Sequence, residues 1–388
     1  MNFEEMNKEL PAGSTLSHYR IVSAFIFARA GLLLQRRGGE RSWFVCRGSG
    51  RMGGIIRREL RLHGNAYNAA REKIQMRIAV FGTGGVGGYF GGRLAQAGED
   101  VTFIARGEHL RAIRDSGLKV DSVNGDFVIQ PAQATSNPAE IGPVDLVIVG
   151  VKAWQVADAA RAMKPLVGPA TTVLPLQNGV EAASQLAAEL GAERVIGGLC
   201  KIVSFVVAPG HIRHAGFEPS VAFGELDNHQ SERVEKIQNA FTNAGVKAAI
   251  AANIQVALWA KFLFITSYSG VGAVCGGPAG RIRGNAEARG LLLRAMAEVD
   301  TLAHARGIHL PPDSVEKSLA SVDALPADAT SSMLRDIAAG RPSELESQNG
   351  AVVRMAHESA VAVPTHELIY SVLKPLEKKA RAARQIVR

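Results

Sequence analysis

Residues 77–107 read RIAVFGTGGVGGYFGGRLAQAGEDVTFIARG, and that run admits few folds. β-formers at 77–81 lead into Gly82-Thr83-Gly84-Gly85-Val86-Gly87; a helix is expected over 85–97, closed by Gly98, and a second strand over 100–105. A lone G-x-G-x-x-G says little, but one set between a strand and a helix inside a βαβ unit says much more. Gly82 permits the tight turn, Gly84 lets the backbone approach a pyrophosphate, and Gly87 lets the helix pack close on the strand. The phosphate would rest on the turn amides, those of Thr83, Gly85 and Val86 included, at the positive end of the helix. Further glycines at 88, 91 and 92 keep that helix face thin. On residues alone, a glycine-rich turn that holds nothing stays open.

Cofactor choice is read at the end of the second strand. An NAD site places Asp or Glu there for the ribose hydroxyls. Here the residues are Ala105-Arg106-Gly107, and Arg106 can fork onto a 2′-phosphate, which points to NADPH/NADP+. An exposed arginine at a strand end is the plainer alternative. Glu108 is the competing carboxylate and is expected to start the next helix. The alternation continues in VDLVIVGVKAW (144–154) and TTVLPLQNGV (171–180). Ligands collect at the carboxyl ends of such strands, which puts Lys152 and Asn178 on the edge that carries the glycine turn. Lys152 can reach an adenosine phosphate. Asn178 can bond the nicotinamide side or the substrate, although Asn-Gly is also plain turn chemistry. Short β runs over 195–226 are expected to complete the same sheet, with His211 and His214 in a loop. Ser231 opens a capped helix that ends at Gly245.

From about 251 the strands stop, and helical patterns run over 252–271, 285–306, 312–321, 330–339, 343–359 and 365 to the end. The fold class expected is therefore α/β: a Rossmann-type dinucleotide-binding domain (76–250) followed by an all-α substrate and catalytic domain (251–388). Within the first of those helices, AANIQVALWAKFLFITSYSGVGAVCGGPAG holds a single charge before Arg281, Lys261. Burying an ammonium is costly unless it is paired or used. Either its stem packs on the helix while its head reaches water, or the charge serves chemistry in a cleft.

Composition narrows the function classes. The net charge of +8 is uneven: residues 1–75 hold 13 Lys+Arg and 6 Asp+Glu, or +7, which leaves 31 basic and 30 acidic groups, or +1, for the rest. The body is nearly neutral, so nucleic acid is not an expected partner. Cys46, Cys200 and Cys275 form no C-x-x-C pair, which favours a reduced, cytoplasmic setting without a metal site. The polar residues around Lys261 make a buried helix a better reading than a membrane span. The basic segment 1–75 has three open readings: translated upstream sequence before a true start at Met76, a poorly ordered tail, or a functional arm. No nucleophile elbow, H-E-x-x-H or P-loop appears.

From Met76 onward the chain resembles ketopantoate reductase (2-dehydropantoate 2-reductase). The resemblance rests on GTGGVGGYFGGRLAQAG, VKAWQ, LQNGV, LWAKF and SSMLRDIAAGRPSELESQNG, in family order. It implies NADPH-dependent reduction of a 2-keto acid, as in pantothenate synthesis. It implies Lys261 as general acid, Glu344 as the second active-site residue and Ser332 at the substrate carboxylate. Pro342-Ser343-Glu344 also reads as a helix start, where an acid suits the dipole, and Ser332 as a helix-start hydroxyl. Residues 1–75 have no counterpart. One departure stands beside the lysine: family enzymes often carry Asn four and eight residues after it, where this chain has Ile265 and Ser269. Both are expected to face the substrate, so a different or more apolar keto acid is in play. A related two-domain hydroxyacid dehydrogenase and a non-catalytic NADP-binding redox sensor are the alternatives, and a homodimer is left open.

Overall fold

The computed structural model describes residues 75–386, with side chains through Ala383, and three short strands before them. The chain divides into two units, Met1–Ile74 and Gln75–Arg388. In the first, β1 (Ile21–Val22), β2 (Phe25–Ala28) and β3 (Leu32–Leu34) form an antiparallel meander. The three readings of residues 1–75 otherwise lie outside the described residues.

The second unit opens with the βαβ run, close to the bounds its residues announce: β4 (Arg77–Phe81), α1 (Gly85–Gln96) and β5 (Asp100–Ile104). Next come α2 (Gly107–Ser116), β6 (Leu118–Ser122), β7 (Phe127–Ile129), β8 (Gln133–Thr135), β9 (Leu146–Val149), α3 (Val156–Ala162), β10 (Thr172–Pro175) and α4 (Ala182–Leu190). Five of these strands form a parallel sheet in the order β10-β9-β4-β5-β8. The chain leaves β4 for β5 on one side and returns to β9 on the other. The carboxyl end of β4 is therefore a topological switch point, where such sheets open a crevice. Strand alternation shows in β4 itself: Ile78 and Val80 join one core, Ala79 and Phe81 the other.

The runs at 195–226 do not complete this sheet. They form β11 (Ile196–Ala208) and β12 (His211–Glu225), long antiparallel partners in a second sheet. β12 also pairs in parallel with β6 and, after α5 (Glu232–Asn243), with β13 (Lys247–Ile250). Val195, just before β11, bridges Val173 of the first sheet, and β11 then crosses the end of β10, where Gly198 lies against Leu174 and the carbonyl of Pro175. His211 and His214 are thus strand residues, not loop residues. His211 meets Asp121 at 2.8 Å, and the buried His214 bonds Ser122 Oγ at 2.9 Å.

This second sheet covers α1, which explains its glycines. A Cβ on Gly88 would strike Ile212 of β12. One on Gly91 would strike Val80 and Phe103 of the parallel sheet, and one on Gly92 the ring of Phe127. Where the helix is sandwiched between two sheets, at Gly88, Gly91 and Gly92, it has no room for bulk.

The helical lobe comprises α6 (Ile254–Cys275), α7 (Ala279–Arg283), α8 (Ala286–Ala305), α9 (Ser314–Asp323), α10 (Ser332–Ala338), α11 (Asn349–Glu358) and α12 (Pro364–Ile386). At the start of α6, Asn253 Oδ1 accepts from Val256 N at 3.0 Å; Gly276, at φ +59°, ends it. By length and apolarity α6 is the one described helix long enough to cross a membrane, but most of it is buried inside the protein. The helix expected over 343–359 begins only at Asn349, because 344–348 is a bend followed by turns.

A Cβ on Gly87 would collide with the carbonyl oxygen of Gly82, whereas one on Gly84 would meet open space. Gly87→Ala should therefore lower stability by about 1–3 kcal/mol, the usual cost of overpacking, and Gly84→Ala should stay close to wild type. Urea midpoints measure both, and an unchanged midpoint for Gly87→Ala would show that the helix can back away freely.

Candidate active site

A cleft of about 1980 Å³ runs from the glycine turn, past β11, to the helical lobe. Of the cofactor-turn residues, Gly82, Thr83, Gly84, Gly85 and Val86 line it, while Gly87 lies beneath, packed on Gly82. Ile104 O accepts from the amides of Gly82 (3.3 Å) and Thr83 (3.2 Å) and from Thr83 Oγ1 (3.1 Å), which fixes the turn. No side chain caps α1. With Gly84 open to the cleft, the first-turn amides form a cradle of the shape and polarity a diphosphate takes. Ser204 Oγ donates to Gly85 O at 2.8 Å and ties β11 to the same turn.

His109 completes this end and carries no sequence signal that would single it out. Its Nε2 lies 2.7 Å from Thr83 O, and Gly210 N donates to its Nδ1 at 3.0 Å. Those partners assign the proton to Nε2. Burial pulls the imidazole below its ordinary value, against the Thr83 bond that raises it, so the ring stays neutral and keeps both bonds. Arg106 lines the cleft from the N-cap position of α2, exposed and without a partner among the described residues. Glu108 lies in the first turn of α2, as expected. Lys152 also lines the cleft, but its ammonium lies 3.2 Å from Asp336 Oδ2 on the helical lobe.

The other end is built on α6. Lys261, Phe264, Ile265 and Tyr268 line the cleft, while Trp259, Phe262 and Leu263 are buried in the lobe's core. At 3.6 residues per turn, seven positions after Lys261 come back to within about 20° of it, but eight lie about 80° away. Tyr268 therefore continues the lysine face. Ser269 does not line the cleft: it is buried in the lobe, with its hydroxyl unpaired. Of the two substituted positions, Ile265 alone faces the cavity, stacked in sequence between Phe264 and the Tyr268 ring that packs on it at 5.8 Å.

Lys261 has no hydrogen-bond or ion-pair partner among the described residues. Burial pushes its ammonium well below the ordinary lysine range. The charge of Glu344 pushes it back up, and nearby Lys201 pushes it down again. Glu344 is almost fully buried and is held from the other lobe. Its Oε1 accepts from Ala153 N at 3.3 Å, and its Oε2 accepts from Asn178 Nδ2 at 3.1 Å. It sits in a turn, so the helix-start account of this acid does not apply. Cys200 donates to Leu176 O at 3.6 Å, and burial raises its thiol, which is therefore neutral. Ser332 lines the cleft at the first position of α10; the capping hydroxyl is Ser331, which accepts from Leu334 N at 3.1 Å. Lys201 and Arg335 also line the cavity and were not legible as site residues. No described group of His, Cys, Asp and Glu is arranged to hold a metal.

Two family descriptions match this chain: "Ketopantoate reductase PanE/ApbA" over residues 78–228 and "Ketopantoate reductase PanE/ApbA C terminal" over residues 253–377. The chain belongs to the ketopantoate reductase family. Uncharacterized oxidoreductase YkpB of Bacillus subtilis is 30% identical over 302 residues, 78% of this chain and 99% of that one. The 2-dehydropantoate 2-reductase of Halobacterium salinarum is 32% identical over 290 residues, 74% and 95% of the two chains. The solved 2-dehydropantoate 2-reductase of Geobacter metallireducens superposes with a TM-score of 0.73 at 32% identity, covering 77% of this chain and 99% of that one. D-mandelate dehydrogenase, solved with NADH and anilino(oxo)acetate, shares the fold at a TM-score of 0.73 and 22% identity, covering 79% and 100%. Ketopantoate reductases are oxidoreductases of CH–OH groups that work with a nicotinamide cofactor, and the cradle at Gly84 fits one.

The lysine's lowered pKa sets a stability test that needs no substrate. Between its folded value and the ordinary lysine value the unfolded chain holds more protons, so stability rises with pH through that window, and the penalty is full below it. Lys261→Met should therefore be more stable than wild type at neutral pH, with the gap closing in alkaline buffer. Urea titrations at both pH values decide; a less stable variant at neutral pH would mean the ammonium has a stabilising partner.

Proposed function

We propose that this chain reduces a 2-keto acid to a 2-hydroxy acid with NADPH, and that 2-dehydropantoate is the substrate. The observation that carries this reading is the placement of an unpaired ammonium, Lys261, on the same cleft wall system as the glycine cradle and a buried carboxylate, Glu344. When bound, the nicotinamide supplies the hydride. The protein's part is electrostatic and protonic. As the carbonyl carbon is reduced, its oxygen gains negative charge; the Lys261 ammonium stabilises that charge and then gives the oxygen a proton. The apolar wall of Phe264 and Ile265 excludes water and strengthens the field. Desolvation makes the proton easier to lose, and the charge of Glu344 keeps it in place until needed. Asn178 orients Glu344 through Nδ2. Ser332 supports the reading as a hydroxyl on the cleft wall for the substrate carboxylate. Arg106, free at the cradle end, is the candidate reader of the 2′-phosphate, since Lys152 is engaged with Asp336.

A second reading has one specific observation behind it. Ile265 presents an apolar side chain one turn after the lysine, beside two stacked aromatic rings. A site that offers no amide there favours a keto acid with an apolar or aromatic tail over a hydroxylated one, because a buried hydroxyl left unpaired costs about 1–3 kcal/mol. An NADPH-oxidation screen over 2-keto acids separates the two: 2-dehydropantoate should give the highest kcat/KM, and a preference for an aryl keto acid would establish the second reading. Lys261→Ala should cut kcat by about a hundredfold or more while NADPH still binds; near-normal turnover would remove Lys261 from the chemistry.

Arg106→Ala should weaken NADPH far more than NADH, by about tenfold or more if the charge-assisted bonds are lost. Fluorescence titration with both cofactors measures it, and equal weakening would show that Arg106 does not read the phosphate.

A further inference from the structure

Glu377 and Arg381, one turn apart on α12, contact nothing in the cleft, yet every polar group of Ser343 ends on them. Ser343 N donates to Glu377 at 2.9 and 3.2 Å, and Ser343 Oγ donates to Glu377 Oε2 at 2.6 Å. Arg381 Nη2 donates to Ser343 O at 3.1 Å, while its Nε lies 2.6 Å from Glu377 Oε1. Ser343 and Glu377 are 0% and 3% exposed and fully satisfied, and Arg381 closes the cluster from its partly exposed side. Such clusters hold geometry tightly, because losing one partner strands the rest.

The next residue is Glu344, and it points the other way, to Ala153 N and Asn178 Nδ2. Ala153 is followed by Trp154, whose ring carries the Arg381 guanidinium at 4.8 Å. The contacts therefore close a ring: Arg381 and Glu377 hold Ser343, Ser343 sets Glu344, Glu344 takes the amide of Ala153, and Trp154 returns to Arg381. One ring fixes both the acid and the lobe that receives it.

We propose that Glu377 and Arg381 are positioning residues, which aim the Glu344 carboxylate by clamping Ser343 and by seating Trp154 across the lobe boundary. The proposal rests on the reading of Glu344 as an active-site acid, and the test separates the two. A shift of about 1 Å in a working group can cost up to about a hundredfold in rate. Glu377→Gln keeps the shape but weakens the clamp, so kcat for 2-dehydropantoate with NADPH should fall at least about tenfold, with KM for NADPH little changed. Ser343→Ala, which keeps the backbone bond and removes only the hydroxyl, should fall in the same direction by less, and serves if Glu377→Gln does not fold.

The decisive measurement is a double-mutant cycle in the full chain. In a Glu344→Gln background, Glu377→Gln should have almost no further effect on kcat. Multiplying effects would overturn the proposal, since they would mean that Glu377 acts through something other than Glu344. A harmless Glu344→Gln would instead sink the reading of Glu344. A crystal structure of Glu377→Gln reads the geometry without activity: Glu344 should leave Asn178, and a retained bond near 3.1 Å would overturn the positioning role.

Discussion

The closeness of α1 to β4 is the constraint on which the rest of this molecule depends. Gly87 rests on the carbonyl of Gly82, and only a glycine can do so. That contact brings the first turn of α1 over the carboxyl end of β4, where the sheet reverses its order and a crevice opens. It also lets a second sheet close over the far face of the helix. β11 then runs past the cradle, ties Ser204 to Gly85, and delivers Cys200 and Lys201 to the cleft wall. A bulkier helix would part the two sheets and move every group that β11 carries.

Within the cleft, two opposite charges are kept near each other without a direct bond. Lys261 is desolvated and unpaired; Glu344 is buried but satisfied by an amide and a carboxamide. A direct ion pair would lock the ammonium onto the carboxylate and leave less of it for a substrate oxygen. Glu344 instead acts on the lysine through the field, while Asn178 and Ala153 occupy its oxygens. The neutral thiol of Cys200 adds bulk to this corner without adding charge.

What was legible in the sequence was what is local. β4, the glycine turn, α1 and β5 follow from residues adjacent in the chain, and so does the body of α6, expected over 252–271 and found over Ile254–Cys275. What was lost depends on partners far along the chain. The runs at 195–226 read correctly as strands, but nothing in them says that they pair with β6 rather than extend the first sheet. A spacing of eight from Lys261 suggests a shared face for Ser269, but the helical period turns it about 80° away into the lobe. His109 and Glu377 act on Thr83 and Ser343, 26 and 34 residues away. A lone histidine or glutamate on an amphipathic helix advertises no such duty.

Glu344 belongs to the helical lobe, whereas the amide and carboxamide that receive it belong to the sheet lobe. The acid is thus finished only at the seam. Neither lobe can be traded for a cousin's by simple recombination, since an incoming set of helices must bring a carboxylate that lands within a few tenths of an ångström of a foreign asparagine. The two halves are bound to change in concert, and drift in one is checked by the other at that single handshake.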